Sequence, residues 1–176
     1  MLTGMSGTSA CPHWPASLTT PRLLLRPVEP PDVPVHARLW TDPDVRRHLG
    51  GPADEGVVRA REQRCVGAPG LLSVVRRADG LVIGSVLVEP GARDGRTELS
   101  YQLLPEHWGL GYAREAVAAA ADWALAIRPG ADLVAVTQEA NTRSRRLLDA
   151  LGATLGERFV EFGQPQVLYR LSAAGS

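Results

Sequence analysis

The amino-acid sequence predicts a mixed α/β domain, and three observations carry that prediction. Residues 71–90, "LLSVVRRADGLVIGSVLVEP", hold two runs rich in Val, Leu and Ile on either side of Asp79-Gly80. That dipeptide tolerates the left-handed backbone angles of a tight hairpin turn, so the runs are read as antiparallel strands over 71–77 and 81–89. Further along, Ala113, Ala116, Val117, Ala120, Ala124 and Ile127 recur at helical spacing and stop at Pro129-Gly130, which marks one long amphipathic helix. The overall order is strand, helices, three strands, helix, strand, helix, two strands, with no internal repeat and no linker.

Residues 1–20 are small, polar and punctuated by proline. They are read as a tail that only Trp14 could dock, and a single domain is assigned to 21–176. "RLLLRPV" (22–28) is a buried strand closed by Pro27, Pro30 and Pro31. Asp32 is a candidate N-cap for the segment that follows. Gly50 and Gly51 stop that segment, Asp42-Pro43 splits it into two short helices, and a third helix covers 55–65. After a loop over 91–95, "TELSYQLL" (97–104) alternates as a third antiparallel strand. "ADLVAVTQ" (131–138) is a short buried strand, and Asn141 opens a helix over 142–151 that Gly152 ends. Strands over 154–161 and 166–171 flank a turn at 163–165.

Bulk composition removes several classes of function. With 176 residues and 44% hydrophobic content, the chain can bury a sizeable core. No apolar run approaches the roughly 20 residues that span a bilayer. The 19 basic residues balance the 19 acidic ones, which gives no support for nucleic-acid binding by bulk charge. Every basic residue is arginine, and with the wealth of Ala, Gly and Pro this points to a GC-rich bacterial genome. Cys11 and Cys65 lack a metal-binding spacing and adjoin no histidine, so both are read as idle thiols. His13, His36, His48 and His107 are scattered without an i, i+4 pair, and no metal site is expected. No charged-then-apolar signal pattern opens the chain, so the cytoplasm is the expected location.

The segment "EHWGLGYAREA" (106–116) sets two glycines where the long helix must start. Helix-start amides lack intrahelical partners, and with the helix dipole they form a natural anion seat. A Walker-type loop needs a Gly-Lys-Ser/Thr ending, which a lysine-free chain cannot supply. A dinucleotide fingerprint through Gly109 and Gly111 would place its third small residue at Arg114, and it demands an opening βαβ unit that this order lacks. An ordinary strand-to-helix connection is the remaining plain alternative.

"WGLGYA" resembles the acyl-CoA pyrophosphate loop of the GNAT superfamily of N-acetyltransferases, whose pattern is Gln/Arg-x-x-Gly-x-Gly/Ala. Trp108 stands at the Gln/Arg position, Gly111 at the glycine and Ala113 at the last small residue. "TPRLLLRPVEPPD", "LWTDPDVRRHLG", "ELSYQLLPEHWGLGYAREA" and "NTRSRRLLDALGA" occur in the order and spacing of the ribosomal-protein-alanine (Rim-type) branch. The resemblance covers about residues 20–172. It implies a central, mostly antiparallel sheet of about seven strands with helices on both faces, and acetyl-CoA as co-substrate.

For the site, the resemblance implies that amides of about 110–115 hold the diphosphate, with Trp108, Gly109, Leu110, Gly111, Tyr112 and Ala113 forming the loop. A side chain at 111 would stand where the phosphates approach, and Arg114 is placed to assist. The backbone of Gln102, Leu103 and Leu104 would bond the pantetheine arm, and an amide there would polarise the acetyl carbonyl. Glu98 is the candidate base, drawing a proton off the amine through water; the alternatives are a solvated carboxylate or a strand-face ion pair with Arg96. Ser100 and Gln102 share its polar face by period-two alternation. Asn141 would bond the pantetheine amide and Ser144 would give a proton to the thiolate, unless the pair merely caps its helix. Tyr112 and Tyr101 are less favoured acids, and Arg145 or Arg146 is in reach of the 3′-phosphate end. Asp42, Asp44, Asp54 and Glu55 could attract a cationic amine on the acceptor side.

The reading is an acetyl-CoA-dependent N-acetyltransferase in which an amine attacks directly in a ternary complex. The acceptor is expected to be a protein or peptide α-amine, with small amines and antibiotics as alternatives on the same scaffold. A non-enzymatic acyl-CoA sensor or interaction module is the runner-up. No metal, nucleic acid or membrane is expected, and the assembly is a monomer or homodimer.

Overall fold

Alternating apolar residues give the early strands one oily face, and that face draws them into a sheet. The computed structural model describes residues 14–172. Its strands are β1 (Leu18–Thr19), β2 (Leu23–Pro27), β3 (Leu71–Arg76), β4 (Val82–Arg93), β5 (Arg96–Leu103), β6 (Leu133–Gln138), β7 (Thr154–Glu161) and β8 (Gln164–Leu171). Its helices are α1 (Val33–Thr41), α2 (Pro43–Arg46), α3 (Glu55–Cys65), α4 (Tyr112–Ile127) and α5 (Thr142–Ala150). The eight strands join one sheet in the order β1-β2-β3-β4-β5-β6-β8-β7. All neighbours are antiparallel except β5 and β6, which α4 connects as a crossover.

One face of the sheet carries α4 and α5. Ala116, Val117, Ala120, Ala121 and Ala124 of α4 are buried against Leu23, Leu25, Leu72, Val74, Ile83 and Leu99, and Leu148 of α5 joins the same cluster. The small side chains let the helix lie close to the sheet at interior packing density. Helices α1 and α3 cover the other face over the first strands. There Val28, Trp40 and Cys65 form a second, smaller core.

A buried polar network pins α1 to that face. Ser73 points away from Leu72 and Val74 by strand alternation and donates to Asp32 Oδ2 at 2.8 Å. Arg26 donates to both carboxylate oxygens of Asp32, at 2.6 and 3.0 Å, and the Glu29 N–H adds a bond at 3.0 Å. The Ser73 hydroxyl, having given its proton to Asp32, accepts from His36 Nε2 at 3.0 Å. Asp32 therefore precedes α1 without capping it with its side chain. It is the centre of an ion-paired cluster, which residue type and position alone did not reveal.

The most consequential irregularity lies between β5 and β6. They pair only at Thr97↔Leu133 and Glu98↔Val134, and beyond those two rungs the strands part. Both remain supported on their outer sides, β5 by β4 and β6 by β8.

Four details differ from the sequence reading. There are eight strands rather than about seven, because the two-residue β1 is too short for alternation to show. It pairs with β2 inside the expected tail, and Trp14 packs against the main core. The rest of the tail, with Cys11 and His13, lies outside the described residues. Strand β4 runs on to Arg93 through Pro90 and Gly91, so the expected loop is a strand with an irregularity, turned at Asp94-Gly95 (φ 49° and 81°). Proline and glycine read as loop signals, yet both are tolerated at strand irregularities. Strand β8 starts at Gln164, two residues early, after a turn at Phe162-Gly163.

Candidate active site

The parting strands open a crevice of about 320 Å³, which runs between β5, β6, the start of α5 and the turn after α2. A second hollow of about 150 Å³ adjoins it at the glycine turn, and Leu103, Trp108, Ala113, Arg143 and Leu147 line both. Of the expected residues, Gln102, Leu103, Trp108, Gly109, Gly111, Tyr112, Ala113, Arg114, Asn141 and Ser144 form these walls. Glu98, Leu104 and Leu110 do not.

The glycine turn is built by backbone angles. Gly109 and Gly111 have φ of 76° and 81°, the left-handed region that disfavours any Cβ. Gly111 is the residue that caps α4, and the first helical bond runs from the Glu115 N–H to Gly111 O at 3.1 Å. The amides of Tyr112, Ala113 and Arg114 precede that bond and have no intrahelical acceptor. A Cβ at 109 would meet nothing within 4 Å, and one at 111 would meet the Arg22 Nη2 at 3.2 Å. The backbone angles alone thus require glycine at both positions, one of the two reasons the sequence suggested.

Arg22, at the start of β2, clamps the turn. It donates to Leu110 O at 2.8 Å and to Glu115 Oε2 at 2.7 Å, and its guanidinium lies 4.6 Å from the Tyr112 ring centre. Thr20 donates to the other oxygen of Glu115 at 2.6 Å. Leu110 contributes its carbonyl to the clamp and leaves its side chain exposed. No local signal marked Arg22, because its partners lie about ninety residues away in the chain.

Trp108 donates its indole N–H to Leu103 O at 2.8 Å, and the Leu104 N–H is taken by Ile83 O at 2.9 Å. The expected free backbone at 103–104 is therefore partly engaged within the protein. Gln102 supplies a different group: its Oε1 is buried without a hydrogen-bond partner, on the wall of the crevice. An orphaned acceptor of that kind suits an incoming N–H.

The Arg143 guanidinium lies 4.1 Å from the Trp108 ring centre, forming no salt bridge among the described residues and bordering both hollows. Arg145 turns to Glu139 O and the Tyr169 hydroxyl. The α5 cation that borders the hollows is thus Arg143, one the sequence reading passed over for its neighbours. Arg114 sits on the wall and bonds Ala150 O at 3.2 Å.

At the start of α5, the Asn141 side chain accepts the Ser144 N–H at 3.2 Å and so caps the helix. The Ser144 hydroxyl does something else: it meets the Tyr101 hydroxyl at 2.6 Å. Burial raises the Tyr101 pKa above its usual value, with the Ser144 bond and the Arg143 charge opposing, so the phenol keeps its proton. Donated to Ser144, that proton leaves the serine hydrogen free for the crevice.

Glu98 sits at the last β5–β6 rung, outside the crevice walls. Its carboxylate accepts from Arg93 Nε at 3.0 Å, and Arg93 also bonds Glu161 at 2.9 Å. The ion-pair alternative is therefore realised, with Arg93 in place of Arg96. Glu89 lies opposite Glu98 on β4; partial burial, and then the Glu98 charge, push its carboxyl above the usual range. The other expected acids are occupied as well. Asp42 and Asp54 cap α2 and α3, Asp44 pairs with Arg47, and Glu55 pairs with Arg59. Only Asp44 reaches the crevice. Among the described residues no group of three or more potential metal ligands occurs, and no helix is long and apolar enough to cross a membrane.

Known proteins share this fold. The chain is 29% identical over 145 residues to p20, an uncharacterised N-acetyltransferase of Bacillus licheniformis, covering 77% of this chain and 80% of that one. A GNAT-family acetyltransferase from Bacillus anthracis superposes with a TM-score of 0.79 at 21% identity, over 89% of this chain and 98% of the other. A Vibrio cholerae protein, named as a candidate ribosomal-protein-serine acetyltransferase, superposes at 0.65 with 20% identity, over 89% and 97%. The family model for the acetyltransferase (GNAT) domain matches residues 22–154, so this chain is an acetyltransferase and belongs to the GNAT family.

Proposed function

We propose that the protein transfers an acetyl group from acetyl-CoA to a primary amine, which attacks directly while both substrates are bound. The observation that carries this reading is the crevice through the parted strands and the hollow that adjoins it at the glycine turn. Together they offer helix-start amides and the Arg143 guanidinium at one end, and a hydrogen-bonded hydroxyl pair inside. The amides of Tyr112, Ala113 and Arg114 and the Arg143 guanidinium suit a diphosphate. The orphaned Gln102 Oε1 suits an amide N–H of an extended arm. Acetyl-CoA supplies the activated acetyl thioester.

The chain's own residues do the rest. Ser144, its oxygen held by Tyr101, presents a proton where a sulfur anion would form. Leu99, Ala135, Leu147 and Leu148 keep the crevice wall apolar, which strengthens each polar contact inside it. We assign the acceptor to the α-amines of peptides or proteins, on the strength of the four Rim-type sequence blocks. The test is release of free thiol from acetyl-CoA with a panel of peptides of varied N-termini, free amino acids and diamines. Turnover with peptides alone supports the α-amine assignment. Turnover with diamines alone would replace it, and thiol release with no amine of the panel would remove the transfer reading.

A further inference from the structure

We propose that His48 takes the proton from the acceptor amine, and that Gln138 determines which ring nitrogen does so. The inference rests on the acetyl-transfer reading and names the base for it.

An amine near neutral pH is mostly an ammonium and has no lone pair with which to attack. The crevice therefore needs a proton acceptor, and Glu98 is badly placed for that work, being outside the walls and held by Arg93. His48 lies in the turn after α2 and forms part of the wall, half-buried. Its Nδ1 is 3.1 Å from Gln138 Oε1 on β6. An amide oxygen only accepts, so in the neutral ring Nδ1 carries the proton and Nε2 keeps its lone pair. That bond also ties the α2 turn to β6 across a separation of 90 residues in the chain. Nε2 makes no hydrogen bond among the described residues.

The charged and titratable groups around the ring leave it this role. Asp44 and Arg47 of its own segment pair with each other at 2.5 Å. From the facing walls come Arg143 of α5 and the Tyr101 phenol of β5, neither of which removes a proton from an ammonium. His48 Nε2 takes one proton from the ammonium, and the neutral nitrogen attacks the thioester carbonyl. A carbon–nitrogen bond forms and the carbon–sulfur bond breaks. Ser144 gives its proton to the departing sulfur and regains one from the acylated nitrogen. His48 then releases its proton to water.

The experiment compares pH–rate profiles of wild type, His48→Gln and Glu98→Gln with one peptide acceptor, alongside acetyl-CoA affinity by calorimetry. His48→Gln should lower kcat/KM about 100-fold below the acceptor pKa, as loss of a general base does. The deficit should shrink at alkaline pH, where the amine is already neutral, and added imidazole should restore part of the rate. Acetyl-CoA affinity should not change, which a merely structural histidine would not guarantee. Gln138→Glu should move the rising limb to higher pH, because a carboxylate favours the protonated ring. An unaltered limb in His48→Gln, or a limb lost only in Glu98→Gln, overturns the assignment while leaving acetyl transfer in place. Absence of transfer to every amine overturns both.

Discussion

Ser144 illustrates how one residue can be judged only by its partners. Its N–H is part of the helix cap, but the capping oxygen belongs to Asn141, and its own hydroxyl is bonded to Tyr101. Ser144→Ala should therefore leave the melting temperature nearly unchanged and lower the single-turnover rate on the order of 100-fold. Tyr101→Phe should lower that rate less and leave acetyl-CoA affinity alone. Asn141→Ala should cost about 1 kcal/mol of stability, read from denaturant unfolding. A Ser144→Ala enzyme with full chemical rate would move the acid elsewhere. Gly111 gives a second test at this scale. Gly111→Ala forces a Cβ into a left-handed backbone and against Arg22, at a cost of about 1–2 kcal/mol. Coenzyme A affinity should fall with it; unchanged affinity by calorimetry would separate the turn from the phosphates.

The docking of α1 turns on a titratable group. Burial holds the His36 pKa down to about 4 from an ordinary 6.5, with Asp32 opposing and Arg26 reinforcing that shift. A neutral imidazole that must stay neutral contributes its full stability above the unfolded value of about 6.5. The contribution declines as pH falls from there towards 4, by about 3 kcal/mol in total. Asp32 acts lower. Burial alone would raise its carboxyl, but the bonds from Arg26, Glu29 and Ser73 outweigh that, and its contribution is lost below the ordinary carboxylate range. Denaturant unfolding at pH 7 and pH 4.5 should show the loss, and His36→Gln should flatten it. A wild-type curve flat across that window would contradict the burial argument. Elements of this kind also show what a sequence discloses. Hairpins, alanine spacing and glycine stops are local, so β3, β4, α4 and α5 were legible within a few residues. The His36–Ser73–Asp32 and Arg22–Glu115 links join positions 37 to 93 residues apart, and no local pattern encodes them. The site divided in the same way: the glycine turn and Asn141 were visible as motifs. Arg143 and His48 had to wait for α5 and the α2 turn to be placed around the parted strands.

Across the whole molecule, ion pairs tie the edge strand β7 back to the middle of the sheet. Arg93 reaches Glu161 and Arg96 reaches Glu157, joining the β4–β5 hairpin to β7. Within the span they bridge, β5 and β6 share only two rungs. A strand whose hydrogen-bonding flank is bare is ordinarily a hazard, since any extended chain can add to it. Here two such flanks face each other inside the protein, and an extended ligand with amide groups is the piece that would knit them, as a peptide does when it extends a sheet. Bound acetyl-CoA should then slow hydrogen exchange at alternate amides over 99–103 and 135–138, and at 100 times its Kd add about 2.7 kcal/mol of stability. Uniform exchange there, with and without ligand, would contradict this. On that reading, the arm of acetyl-CoA would stitch the open seam of the sheet for as long as the reaction lasts.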